Sequence, residues 1–125
     1  MKNIKWIIVC LPFVVSAESI ESKIERLSYE AEKLYKSYEN LIPVIALDLD
    51  QEQQSLLISE IANFDKEVHK IVKEKRSFKS LNSFKFTIGK FNEFELIRLK
   101  YLIVRYEMIS YELVKLIEEY EKTLK

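Results

Sequence analysis

One glycine, two prolines, one cysteine and one histidine stand in a chain of 125 residues. Each scarcity excludes something. A single glycine leaves no glycine-rich loop to wrap a phosphate, and little of the turn chemistry that a many-stranded sheet needs. A single histidine leaves no His-x-x-x-His pair, and a zinc site normally converges about three or four ligands. A relay of serine, histidine and carboxylate would have to use His69. That residue stands in DKEVHKIVK, beside Val68 and one step off an apolar seam, as a boundary histidine would. The lone cysteine, Cys10, can form no disulfide within the chain, so the fold rests on packing. Val9 before it is not the small residue that a lipid-attachment signal requires, and Cys10 reads as one more apolar residue. No Asn-x-Ser/Thr glycosylation site is present.

What is present begins with MKNIKWIIVCLPFVVSAES. Lys2 and Lys5 precede an apolar run from Trp6 to Val15, and Val15-Ser16-Ala17 offers small residues where a signal peptidase reads. This layout predicts an export signal at residues 1–17, cleaved after Ala17, and one domain at residues 18–125. The run is far short of the ~20 residues of a membrane-spanning helix. The expected location is therefore periplasmic or secreted, with no transmembrane span in the mature chain.

Acidic and basic residues balance at 20 each, which argues against a nucleic-acid protein. The balance is uneven along the chain. Residues 18–65 carry eleven acidic and four basic side chains; residues 66–90 carry two acidic and eight basic.

Apolar periodicity predicts three helices. Ile20, Ile24, Leu27, Ala31, Leu34, Tyr38 and Leu41 alternate steps of four and three, a heptad seam that Pro43 is expected to stop. Leu57, Ile61, Phe64, Val68 and Ile71 define a second helix from Gln51 to Lys75, opened by a capping box of Asp50 and Gln53. A second box, Asn92 with Glu95, opens a third helix that runs to Tyr120. That helix has two seams: Leu99, Leu102, Tyr106, Ile109, Leu113, Leu116 and Tyr120, and, roughly opposite, Phe94, Ile97, Tyr101, Val104, Met108 and Tyr111. A helix apolar on both sides is expected between neighbours or against another chain. The fold class that follows is all-α: a small antiparallel three-helix bundle with coiled-coil-like seams and an extended basic and aromatic connector before the third helix.

Few residues suggest chemistry. Asp48, Asp50 and Glu52 alternate as a calcium loop begins, but Gln53 and Ser59 occupy the positions where that loop needs glycine and glutamate. They suit the acidic start of a helix better. Glu118, Glu119 and Glu121 belong to a charged helix end rather than to a sugar cleft. Most of the seven tyrosines lie on or beside the seams, where core packing explains them; Tyr29 and Tyr35 lie off the seam and suit a recognition face. No cofactor or metal is expected, and no enzymatic activity.

The connector KEKRSFKSLNSFKFTIGKF is the remaining candidate. Its phenylalanines can close the bundle while its lysines face water. The same segment could meet an acidic partner, with Lys73, Lys75, Arg76, Phe78, Lys79, Phe84, Lys85, Phe86 and Lys90 as contact residues. Basic residues among aromatics also suit single-stranded nucleic acid, but an exported chain rarely meets it. The expected function is that of an exported, non-enzymatic protein-binding module: an inhibitor, an immunity or exclusion factor, or an adaptor acting on an envelope or secreted protein. The alternative is a structural subunit of a homo-oligomer or of an envelope or secretion assembly.

Overall fold

The computed structural model describes residues 18–88 and 91–125. The expected export signal and Lys90 lie outside the described residues. Helix α1 spans Ile20–Ile45, α2 spans Gln51–Glu74, a 3-10 helix spans Phe78–Ser83, and α3 spans Glu93–Thr123. The described residues are all-helical and contain no strand. No described helix is long and apolar enough to cross a membrane.

Local chemistry sets each boundary. Ser19 Oγ accepts the Ser22 N–H and starts α1. Pro43 does not stop this helix, which continues to Ile45. The proline removes one backbone donor in the last turn, a small loss there compared with the interior of a helix. Leu41 and Ile45, four residues apart and both buried, keep the chain on helical spacing across it. Both capping boxes form as expected. Asp50 Oδ1 accepts the Gln53 N–H at 2.8 Å, and Asn92 Oδ1 accepts the Glu95 N–H at 2.7 Å. Lys75 ends α2 in the left-handed region, with φ at 56°, and the Arg76 N–H closes back on the Ile71 carbonyl. The third helix runs one turn beyond the expected Tyr120.

The direction of α3 departs from expectation. Tyr120 Oη donates to Glu21, and the Tyr106 ring lies 6.2 Å from that of Tyr35, so α3 is antiparallel to α1. Against α2, Lys100 lies over Phe64 and Glu107 meets His69. Residue numbers rise together in these two pairs, so α3 is parallel to α2 and the antiparallel expectation fails there. The connector is what permits this. It runs back along α2, burying Leu81, packing Phe84 edge-on and Phe86 tilted against Phe64, and bringing Thr87 to Glu60. It is extended only in part, because its first section is the 3-10 helix capped by Ser77.

The core joins Leu41 and Ile45 of α1, Leu57, Ile61, Phe64, Val68 and Ile71 of α2, Leu81 of the connector, and Leu99, Leu102 and Ile103 of α3. The two seams of α3 fare differently. Leu99, Leu102 and Ile109 are buried, whereas Phe94, Ile97, Tyr101 and Met108 of the second seam are exposed and only Val104 packs on the core. The α3 helix packs against both α1 and α2, as expected, yet neither covers these four residues of the second seam. Only the expectation that these two neighbours bury both seams is corrected.

Candidate functional site

Two surfaces stand out, on different sides of α2. The first is the basic connector. Lys73, Lys75, Arg76, Lys79 and Lys85 are exposed, with Arg76 paired to Glu74 at 2.9 Å. Phe78 is partly exposed, but Phe84 and Phe86 are half-buried, with ring centroids 5.1 and 5.6 Å from that of Phe64. The candidate contact residues thus separate by chemistry, lysines outward and these two rings inward. The segment is also pinned. Glu60 accepts the backbone N–H groups of Thr87 and Ile88 and the Thr87 hydroxyl. Lys100 Nζ donates to the Leu81 and Phe84 carbonyls at 3.2 and 2.9 Å, and burial lowers the pKa of this ammonium.

The second surface is a groove of about 270 Å³ between α1 and α2, floored by α3. Leu34, Ile58, Ile61, Leu102 and Ile103 make most of it apolar. Tyr35, Tyr38 and Tyr106 form an aromatic wall, with the Tyr35 ring centroid 6.2 Å from each of the other two. Asp65 and Glu107 also line it, from α2 and α3.

These carboxyls give the groove its electrostatics. Burial first, then the hydrogen bond and charge of Glu107, push the pKa of Asp65 up to about 7, with His69 opposing. Asp65 therefore keeps its proton to higher pH than an ordinary aspartate, and in that form it is the donor towards Glu107. His69 Nδ1–H donates to Glu107 Oε1 at 2.9 Å from the other side. Burial, then Tyr35 and Asp65, raise the pKa of the Tyr38 hydroxyl, so it stays neutral. Such a site can exchange a proton or receive a cation, and it presents no activated nucleophile. Among the described residues no three histidine, cysteine, aspartate or glutamate side chains converge to hold a metal.

Sequence reasoning passed over this cluster. Asp65 and His69 are one helical turn apart on α2, a visible spacing. Glu107 joins them only because α3 runs parallel to α2, and nothing local in the sequence encodes that register. Of the two tyrosines singled out for lying off the seam, Tyr35 lines the groove, while Tyr29 is exposed beneath the Lys33 ammonium. Comparison of the chain with family models, curated proteins and solved structures returned no match.

Proposed function

We propose that this chain is an exported, non-enzymatic protein-binding module, in the class of inhibitors, immunity or exclusion factors and adaptors. The observation that carries this reading is the open groove between α1 and α2, with exposed Ile58, Tyr35 and Tyr106 at its edges. Exposed apolar area of this kind next to a few polar groups is characteristic of contact surfaces, and tyrosine is enriched at their energetic centres. Export is supported by the pattern of residues 1–17. The basic connector is a second proposed contact, suited to steering an acidic surface of the partner.

Site-specific photocrosslinking tests the reading. A photoreactive residue at Ile58 samples the groove and one at Lys79 samples the basic face, each in the envelope and secreted fractions of the host. The expected result is a discrete adduct from Ile58 that a bulky substitution at Ala62 abolishes. Absence of any adduct from the groove would sink it.

A second reading, a structural subunit of a homo-oligomer or larger assembly, draws on the exposed stripe Phe94, Ile97, Tyr101 and Met108 of α3. A light-scattering mass of one chain at high micromolar concentration removes the homo-oligomer.

A further inference from the structure

The groove combines two features that are complementary to one kind of side chain. Its walls are apolar and aromatic over most of their length, and a carboxyl pair from two different helices lies within them. An anion would face that pair unfavourably. A purely apolar group would desolvate this pair further and leave only His69 to serve its charge, which is costly. A group with a long apolar stem and a cationic tip satisfies both regions. The stem lies along Leu34 and Ile58 among the tyrosine rings, and the carboxylates pair with the cation. The volume is at the lower edge of ligand pockets, which run from ~300 Å³ upward, and the groove is open along its side. One side chain delivered from outside fits it better than an engulfed cofactor.

We infer that this groove, taken as the contact surface proposed above, receives a lysine or arginine side chain from an apolar segment of a partner protein, with Asp65 and Glu107 binding the cation and Tyr35, Tyr38 and Tyr106 enclosing its stem. The titratable groups facing Asp65 are Tyr38 from α1, His69 from α2 and Glu107 from α3. The Asp65 proton occupies the position the cation needs. Binding therefore displaces it, and affinity rises with pH until Asp65 is ionised, by at most about tenfold per pH unit.

The test uses the whole chain with n-butylammonium as the lysine side-chain probe and n-butanol as its neutral counterpart, followed by NMR shifts of groove residues. The expected result is a perturbation centred on Asp65, Tyr106 and Glu107, saturating at an at least tenfold lower concentration for the ammonium and strengthening from pH 5.5 to 8. Asp65→Asn combined with Glu107→Gln should abolish the preference for the cation. The single Asp65→Asn, an amide of the same shape, should weaken it and flatten its pH dependence. Equal response to the two probes, no response in the groove, or an unchanged preference in the double variant overturns the inference. Crosslinking separates this from the broader reading. An Ile58 adduct that persists unchanged in the double variant refutes the basic side chain and leaves the groove as a contact surface.

Discussion

Glu60 holds the end of the connector through Thr87: its carboxylate accepts the Thr87 backbone N–H at 3.0 Å and also the hydroxyl of the same residue, and the neighbouring Ile88 N–H adds a further bond. One side chain of α2 thereby satisfies two backbone donors in a segment with no ladder or helix of its own. Burial alone would raise the pKa of Glu60. The hydrogen bonds from Thr87 and Ile88 outweigh it and hold the carboxyl below its ordinary value. Glu60→Ala should lower stability by about 0.5–1.5 kcal/mol, measured from the urea midpoint, because water replaces the acceptor at exposed Thr87 and only the part-buried Ile88 N–H loses its partner outright. The loss should be local in character, with amide exchange at residues 84–88 accelerating more than that in the α2 core. The sign with pH follows from the depressed pKa. This stabilisation is complete above the unfolded-state value near 4.5 and is lost as pH falls through the lower folded-state value, so wild type and variant should converge in stability in acid.

Asp65 should behave in the opposite sense. Its folded pKa of about 7 lies above the ordinary aspartate value of 3.8, so between these two values the native state holds more proton than the unfolded chain. Stability contributed at this position therefore falls as pH rises from about 4 to about 7 and is level beyond. Asp65→Asn keeps the shape and removes the ionisation. The variant should unfold at higher urea than the parent at pH 8, and the difference should shrink towards pH 4. A parent whose Asp65 carbon shift titrates near the ordinary aspartate value would refute the assignment.

Lys75 ends α2 in the left-handed region at φ 56°, where a β-carbon is disfavoured by roughly 1–2 kcal/mol. Lys75→Gly relieves that crowding but adds freedom to the unfolded chain, so the net gain should be about 0.5–1 kcal/mol in thermal or urea unfolding. The closing bond from Arg76 to Ile71 should persist, visible as slow exchange of the Arg76 amide.

What was legible in the sequence divides along the range of the interaction. The two capping boxes act over three residues, and Asp50 with Gln53 and Asn92 with Glu95 form as the pattern implies. The α2 seam Leu57, Ile61, Phe64, Val68 and Ile71 is buried in its entirety. Pro43 misled because proline is costly inside a helix and far less so in its last turn, where burial of Ile45 decides. The parallel course of α3 was not legible. It depends on Phe84 and Phe86 finding Phe64, a contact between segments about twenty residues apart, and heptad spacing is indifferent to chain direction. The groove cluster inherits that blindness, since Asp65 meets Glu107 only in the parallel register.

Adjacent residues of the connector should give contrasting results. Phe86 is half-buried against Phe64, Phe84 and Phe91, with ring centroids 5.6, 5.3 and 5.6 Å away. Phe86→Ala should cost about 2–3 kcal/mol, less than a fully buried phenylalanine, and should loosen the connector first. Lys85 beside it is exposed, as is Lys79, and neither forms an ion pair among the described residues. Lys79→Glu with Lys85→Glu should therefore move the urea midpoint by no more than about 0.5 kcal/mol. If the basic face steers an acidic partner, the same pair of reversals should slow association while leaving dissociation nearly unchanged, and added salt should erase the difference because it screens exposed charges beyond ~10 Å. Equal association rates for parent and variant at low salt would restrict the connector to closing the fold. Binding that weakens only through faster dissociation would instead place the lysines in direct contact with the partner.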